Sequence, residues 1–316
     1  MSIINKPHDK FFKETLSDLD TTKDFLFNYL PQEILDIVDI SSISAEKDSF
    51  IDEELKEIFS DLLFRAIING KVGYIYFLFE HKSYSWESTP LQLLKYMIAI
   101  WETIISSKTG NNKLPIIIPL VVYHGEDKWN IDVRFAKMIE GIDELPENVK
   151  KYIPNYEYLL YDLSIYGDEE IKGGVKLKIF LEILKAIFNK DFDEFMKTLG
   201  KSLEALEKLE HQEKGIDYFE TLVRYIMNAR NDININDVYK VVKRISLERS
   251  EEIMTIAEQL IKEGMEKGIE KGMEKGIVEG RKKTARNLLT LGLSVEQISK
   301  ATELPIKEII LLKKEI

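Results

Sequence analysis

Two short apolar runs joined by a turn constrain the fold of this chain more than any other feature. Residues 62–68 and 72–79 are rich in Ile, Val, Phe and Tyr, which favour β-strands. Asn69-Gly70-Lys71 lies between them, and an Asn-Gly pair is typical of a β-hairpin turn. The two runs are therefore predicted to be adjacent antiparallel strands.

The turn type decides which residues face each other across this hairpin. A turn at Gly70-Lys71, or a four-residue loop at 69–72, sets Asp61 opposite Glu80. A tight Asn69-Gly70 turn sets Asp61 opposite Leu78 and diagonal to Glu80. Side chains alternate along a strand, so both registers put the two carboxylates on one face, about 5 to 8 Å apart.

Lys82 follows Glu80 by two residues and is predicted to share the face of the two carboxylates. Two carboxylates this close repel unless a cation lies between them, and an oxygen-preferring ion such as Mg²⁺ suits the position. A phosphodiesterase would use such a site, with Lys82 orienting a water or stabilising developing charge. The alternative is a surface hairpin that ends in a solvated salt bridge. The apolar run from Tyr74 to Phe79 is typical of a central strand, which weakens this alternative but leaves it open.

The composition excludes several kinds of site. The chain has 316 residues, 44% of them apolar, which is enough for a substantial core. It has no cysteine, so disulfides, thiolate metal sites and thiol nucleophiles are excluded. Its four histidines show no metal-ligand spacing. Residues 1–10 lack the apolar segment of a signal peptide, and no run approaches the roughly 20 apolar residues of a membrane helix, so a cytoplasmic protein is expected.

The charge is unevenly distributed along the chain. The net charge is −11, which argues against a protein that coats nucleic acid by bulk electrostatics. Residues 262–316 carry 12 Lys and Arg against 9 Glu, or +3, which leaves −14 for residues 1–261. Contact with DNA outside an active site is therefore expected in the tail.

The remaining apolar patterns predict an α/β core. A helical period at 8–30, with a break near Ser17-Asp18, precedes the first strand, and a strong helix follows the hairpin. The further predicted elements are strands at 35–44, 114–123 and 156–163 and a helix at 86–105. The order of helix, three strands, helix and strand predicts a mixed sheet.

Five sequence blocks in this order resemble a known family. They are His8-Asp9-Lys10-Phe11-Phe12-Lys13, Ser60-Asp61-Leu62-Leu63-Phe64, Glu80-His81-Lys82-Ser83, Leu93-Leu94-Lys95-Tyr96-Met97 with Ile100-Trp101-Glu102, and Leu114-Pro115 through Pro119-Leu120-Val121-Val122-Tyr123-His124-Gly125. The blocks are similar to those of the Rpn family of recombination-promoting nucleases, also described as YhgA-like transposases. This family lies within the PD-(D/E)XK nuclease superfamily, and the tail is similar too.

The resemblance implies a Mg²⁺-dependent DNA endonuclease. Asp61 and Glu80 would bind the metal, which could also be another divalent ion, and Lys82 would assist the attacking water. Gln92 and Tyr96 resemble a Q-x-x-x-Y motif of the exonuclease-like branch, one helical turn apart, although core packing is the alternative for Tyr96. Lys82 stands where many members have Gln, and Gln92 where Arg is more frequent.

Three regions are predicted. A PD-(D/E)XK restriction-endonuclease-like core with a mixed sheet is expected at 1–165, an α-helical extension at 166–250, and a tail at 251–316. In the tail a four-residue glycine repeat, Gly264 to Gly280, should melt an isolated helix unless a partner covers it. The repeat carries an acidic row and a basic row that a second helix could match, which predicts a homodimer through the C-terminal helices. A flexible, partly helical linker is the alternative.

The last residues have the layout of a helix-turn-helix. Gly292 ends one helix, Ser294 and Gln297 form a capping box, and Pro305 starts a final helix that runs to Lys314. DNA docking and a packing or dimerisation role are both open. For the whole chain, the main hypothesis is a DNA endonuclease associated with recombination or mobile elements. The alternatives are a catalytically inactive DNA-binding or assembly protein that retains the fold, and a phosphodiesterase acting on RNA.

Overall fold

The computed structural model describes residues 7–46, 60–80, 88–106, 113–212 and 218–314, without the side chains of residues 60, 61, 79, 80, 168, 210, 211, 212 and 267. Residues 1–250 form one unit and residues 251–316 a second. The three-part division expected from the sequence stays a prediction.

The first unit combines five strands with helices. The strands are β1 Val38–Ala45, β2 Ser60–Ile68, β3 Lys71–Glu80, β4 Ile117–Tyr123 and β5 Leu159–Asp162. The helices of the described residues are α1 Pro7–Leu16, α2 Leu19–Tyr29, α3 Gln32–Leu35, α4 Thr89–Ser106, α5 Glu147–Lys150, α6 Val175–Ala186, α7 Phe192–Gln212, α8 Phe219–Ala229, α9 Ile235–Ile245, α10 Leu247–Thr290, α11 Val295–Thr302 and α12 Ile306–Lys314. Short 3₁₀ turns lie at Phe135–Met138, Ile142–Glu144 and Asp168–Glu170.

The strands form one mixed sheet in the order β1-β2-β3-β4-β5. β1, β2 and β3 pair antiparallel, whereas β3, β4 and β5 pair parallel. The predictions of an α/β fold with a mixed sheet and of a helical C-terminal region are therefore confirmed. The predicted break in the first helix is also confirmed, because α1 and α2 are separate and Asp18 caps α2.

The hairpin turn selects the second of the two registers expected from the sequence. Asn69 and Gly70 both have positive φ, 50° and 71°, and Ile68 pairs with Lys71. A two-residue turn with positive φ at both central positions matches the twist of antiparallel strands. Asp61 consequently pairs with Leu78 rather than with Glu80.

Helices cover the sheet on both faces. On one face α4 supplies Leu93, Tyr96 and Ile100, which pack on strand residues that include Leu63, Tyr76, Leu78 and Val121. On the other face Phe25 of α2 contacts Phe77 and Tyr161, with ring centroids 5.7 and 5.2 Å apart. Each fully buried aromatic or aliphatic side chain contributes about 1.5 to 3 kcal/mol, so this two-sided core fixes β3 and β4 at the centre of the unit.

The second unit contains the glycine repeat in a continuous helix. α10 runs from Leu247 to Thr290, 44 residues, and passes through all five repeat glycines. The capping box at Ser294 and Gln297 is confirmed, as are the two short helices α11 and α12. Within the described ranges, no helix combines the length and apolar character needed to cross a bilayer.

Gly73 lies in β3 close to Ile68 and to the backbone of Ile116. A Cβ added at this position would lie 2.7 Å from Cδ1 of Ile68 and 2.9 Å from the carbonyl oxygen of Ile116. Gly73→Ala should therefore lower the free energy of unfolding by about 1 to 3 kcal/mol through overpacking. Urea unfolding followed by far-UV circular dichroism measures this.

Gly200 provides the matched control for that substitution. It lies inside α7, and its added Cβ would be 3.6 Å from Cγ1 of Val241, an ordinary contact. Gly200→Ala should leave the stability unchanged or raise it by up to about 1 kcal/mol, because alanine is the better helix former. Equal effects of the two substitutions would contradict the close approach at Gly73.

Candidate active site at the carboxyl edge of the sheet

The strand ends bring acidic positions to one edge of the sheet. Glu80 ends β3, its register partner on β4 is Tyr123, and Tyr123 in turn pairs with Asp162 on β5. Asp61 lies near the start of β2, which runs antiparallel to β3 and therefore begins at the same edge. Three acidic positions from three strands thus share the edge where β3, β4 and β5 end.

The structure locates the backbone of the two predicted metal ligands. Asp61 is opposite Leu78, so Glu80 lies two positions further along β3, on the diagonal that the tight turn implies. The side chains of Asp61 and Glu80 are not described, and Lys82 lies outside the described residues. The geometry among their functional groups therefore stays a prediction.

The strand neighbours of these two positions are buried. Leu78 and Tyr123 are both 0% exposed. The ring of Tyr123 contacts Trp129 at 5.0 Å in an edge-to-face arrangement. A carboxylate bordering such an apolar interior is costly unless it gains hydrogen bonds or a cation. The choice between a metal site and a solvated salt bridge at these positions stays a prediction.

Gln92 and Tyr96 lie on α4, which follows β3 in the chain and packs on one face of the sheet. Tyr96 is buried and its ring is 5.1 Å from that of Tyr76, which is core packing. Gln92 is one turn closer to the start of the helix and half-buried. Its Nε2 is buried and has no hydrogen-bond acceptor among the residues that the structure describes. A buried amide donor without an acceptor costs about 1 to 3 kcal/mol, and a bound phosphate oxygen would satisfy it.

Asp162 is an acidic residue at this edge that the sequence analysis did not single out. It is 5% exposed, and its two carboxylate oxygens accept hydrogen bonds from the backbone N–H groups of Trp129 and Ser164, each at 2.9 Å. It lies two strand spacings from Glu80, about 10 Å. The available signal in the sequence was its position next to the end of the strand predicted at 156–163. Both oxygens are engaged by the backbone, so Asp162 has a structural role.

His124 also belongs to the core. It directly follows β4, is 1% exposed, and its Nε2 donates a hydrogen bond to the carbonyl oxygen of Leu184 at 2.5 Å. Its ring stacks on Phe188 at 4.5 Å and lies 5.2 Å from that of His8. These contacts join the end of β4 to α1 and α6.

No group of three or more His, Asp or Glu residues within the described part of the chain is placed to hold a metal ion. The side chains of Asp61 and Glu80, the predicted ligands, are outside that part.

A family profile described as "Putative transposase, YhgA-like" matches residues 6–214. The chain belongs to this family. The match covers the whole sheet and the helices α1 to α7. The resemblance noted on the five blocks is thereby confirmed, and the carboxyl edge described above lies within the matched residues.

Curated relatives cover nearly the full chain. "Recombination-promoting nuclease RpnA" of Escherichia coli K12 is 28% identical over 298 residues, 94% of this chain and 97% of the relative. RpnC of the same strain, another recombination-promoting nuclease, is 28% identical over 306 residues, 96% and 95% of the two chains. "Inactive recombination-promoting nuclease-like protein RpnE" is 25% identical over 264 residues, 83% and 84% of the two chains. No solved structure matches at a significant level, so the PD-(D/E)XK assignment of the core stays a prediction.

Removing the carboxylate of Asp162 tests its structural role. Asp162→Ala should lower the free energy of unfolding by about 2 to 4 kcal/mol, because two backbone N–H groups lose their acceptor. Asp162→Asn retains one acceptor oxygen and should cost less. Thermal and urea unfolding measure both, with the exposed Glu204→Ala on α7 as a control that should stay within about 0.5 kcal/mol of the wild type. Wild-type stability in Asp162→Ala would contradict the role.

Proposed function

We propose that this protein is a metal-dependent DNA endonuclease that hydrolyses phosphodiester bonds in recombination or in the movement of mobile elements, and that it acts in the cytoplasm. The observation that carries the proposal is the register of the hairpin, which sets Asp61 and Glu80 on one diagonal at the carboxyl edge of a central strand. The names of RpnA and RpnC support the choice of a nuclease.

The order of elements supports a PD-(D/E)XK core for this activity. A helical segment, three antiparallel strands, the covering helix α4 and the parallel strand β4 follow one another along the chain. In this arrangement Asp61 comes from the second strand and Glu80 from the end of the third. We assign residues 1–165 to the nuclease core on this basis.

Four residues of the chain would have distinct roles at the site. Asp61 and Glu80 would hold Mg²⁺ or another divalent ion, since a donor set made of carboxylate oxygens suits a hard cation. Such an ion, when bound, polarises a phosphoryl oxygen and lowers the pKa of a water. Lys82 would place its ammonium group beside the phosphate and stabilise the charge that develops there. Gln92 would donate its buried amide N–H to a phosphate oxygen.

A catalytically inactive protein that binds DNA or assists assembly is the second candidate. RpnE, which is similar over most of the chain, is named an inactive nuclease-like protein. Similarity of this extent therefore does not guarantee cleavage, and this supports the second candidate. The two candidates share the fold and differ only in the chemistry at Asp61, Glu80 and Lys82.

The deciding experiment is cleavage of supercoiled plasmid with Mg²⁺. The wild type should cut, EDTA should abolish cutting, and Asp61→Ala should lower the rate by about 100-fold or more because a metal ligand is lost. Asp193→Ala, an exposed aspartate on α7, is the matched control and should cut at the wild-type rate. Gln92→Ala should weaken cleavage less than Asp61→Ala does.

The outcomes separate the candidates. Cleavage that survives Asp61→Ala would reject the assigned site. No cleavage with Mg²⁺, Mn²⁺ or other divalent ions would favour the inactive protein. Offering single-stranded RNA under the same conditions tests the remaining hypothesis, a phosphodiesterase that acts on RNA.

We further propose that the protein is a homodimer through α10. An added Cβ at each of the five repeat glycines would meet no described atom within 4 Å, so the glycine row is open. The adjacent row of Met265, Ile269, Met273 and Ile277 is 54 to 64% exposed. A second helix could approach the glycines closely and cover the apolar row. This contact would offset the low helix propensity of glycine.

Charge favours a parallel arrangement of the two helices. Around α10 the lysine row, which includes Lys271 and Lys275, borders the glycine row, and the glutamate row, which includes Glu270 and Glu274, borders the apolar row. In a parallel two-fold pair each lysine row faces the partner's glutamate row. An antiparallel pair would set like charges against each other.

Replacing glycines of the repeat by leucine tests dimer formation separately from helix formation. Gly268→Leu with Gly272→Leu should keep or raise the helix content, because leucine is the better helix former, and yet convert the dimer to a monomer in analytical ultracentrifugation. Glu258→Leu with Lys262→Leu is the matched control on α10, since it adds two exposed leucines at the same spacing without changing the net charge. An unchanged dimer in the glycine variant would reject the interface.

A further inference from the structure

The last 34 described residues fold as a small three-helix arrangement within the second unit. We call residues 281–314 the basic helix-turn-helix; it contains the end of α10, α11 and α12. Its core consists of Ala285, Ile298, Leu304, Ile309 and Leu312. The turn between α11 and α12 is three residues long, Glu303 to Pro305, with Glu303 at φ 58°. Two helices joined by a turn of this length have the layout of a DNA-binding helix-turn-helix.

Specific contacts hold these three helices together. Gly292 ends α10 with φ 80°, its N–H donates to the carbonyl of Leu289, and the N–H of Leu293 donates to that of Leu288. This pair of hydrogen bonds is a Schellman motif. Arg281 pairs with Glu303, and Lys282 with Glu308 at 2.8 Å. The orientation of α12 relative to the end of α10 is therefore defined by packing and by charge.

The basic helix-turn-helix has a charge opposite to that of the chain. It carries eight Lys and Arg against three Glu, or +5, whereas the whole chain is −11. Lys300, Lys307, Lys313 and Lys314 are exposed, and none of them forms a salt bridge with a carboxylate that the structure describes. A local positive surface on an acidic chain is the electrostatic feature of a nucleic-acid contact.

The outward face of α12 combines lysines with apolar side chains. Ile309 and Leu312 point into the core, which leaves Lys307, Ile310, Leu311 and Lys314 on the opposite side. Ile310 is 43% and Leu311 59% exposed. Lysine is depleted at the centres of protein interfaces, whereas a groove of DNA offers phosphates at its walls and thymine methyl groups within. The mixture favours DNA over a protein partner.

We propose that the basic helix-turn-helix docks on duplex DNA, with Lys307, Lys313 and Lys314 of α12 contacting phosphates. This would anchor the polymer outside the cleavage site. The inference rests on the proposed function only for the choice of duplex DNA as the polymer, and it does not require that the protein cleaves.

The test measures binding of the full chain to a fluorescent 30-base-pair duplex in EDTA, where no metal-dependent cleavage occurs, over a range of KCl concentrations. Lys307→Gln, Lys313→Gln and Lys314→Gln together should weaken binding at least tenfold at low salt. The slope of log K against log salt should fall by about 2 to 3, since each phosphate contact contributes about 0.9. Lys197→Gln, Lys201→Gln and Lys208→Gln remove the same charge from the exposed face of α7 and should change neither quantity.

The triple variant could lose DNA affinity because it misfolds. A second variant that should bind DNA more tightly keeps the proposal testable in that case. Glu296 lies in the first turn of α11 and is exposed. Its pKa is lowered, first by a hydrogen bond from its own backbone N–H and also by the charge of Lys313, so it remains ionised at neutral pH. Glu296→Gln removes this negative charge beside the lysines and should strengthen binding about two- to fivefold.

The results of the binding test decide whether the basic helix-turn-helix docks on duplex DNA. An unchanged affinity and salt slope in the α12 variant would overturn the proposal, as would an equal loss in the α7 control, which would indicate bulk charge. A loss of the dimer with intact DNA binding would assign this face to protein contact instead. Plasmid cleavage is measured separately, so failure of cleavage with altered DNA binding rejects the nuclease and keeps the docking surface.

Discussion

The pairing of β2 with β3 is the interaction on which the rest of the first unit depends. β3 lies in the middle of the sheet, and its antiparallel ladder with β2 runs from Ser60 to Ile68 without a break. A slip of one residue would move every side chain of β2 to the opposite face. The turn at Asn69 and Gly70 prevents this, because positive φ at both positions allows only the two-residue connection.

The same register organises the carboxyl edge. Asp61 and Glu80 reach this edge from neighbouring antiparallel strands, and Gln92 lies on the first turns of the helix that covers the face. Asp162 shares the edge and has a structural role, because its oxygens accept two backbone hydrogen bonds. An acidic residue at the end of a strand can therefore serve the fold, and its backbone contacts reveal this.

In the second unit, the main constraint is the free-energy cost of the glycines in α10. Five glycines in α10 together cost about 4 to 5 kcal/mol relative to alanine, and an isolated helix gains nothing from them. Their open surface and the exposed apolar row beside them are consistent with a helix whose stability depends on association. The basic helix-turn-helix that follows has its own core and its own charge, so it can serve a separate role at the end of the same helix.

The sequence by itself determined the local elements. The Asn-Gly turn, the apolar runs, the capping box at Ser294 and the glycine at the end of α10 depend on residues that are close in the chain, and the structure confirms each of them. The family was also evident from five ordered blocks. Both hairpin registers fitted the sequence, however, and only the backbone conformation at Asn69 and Gly70 chose between them.

The tertiary structure alone decided which polar groups are engaged. The burial of Tyr96 against Tyr76 and the structural role of Asp162 depend on contacts between residues tens of positions apart. The same holds for the buried amide of Gln92, which has no acceptor among the described residues. A sequence pattern reports the spacing of side chains along one element. Whether a carboxylate meets a backbone N–H, an apolar ring or an open edge depends on how separate elements pack, and this is why the residue types at the edge could be predicted but not their roles.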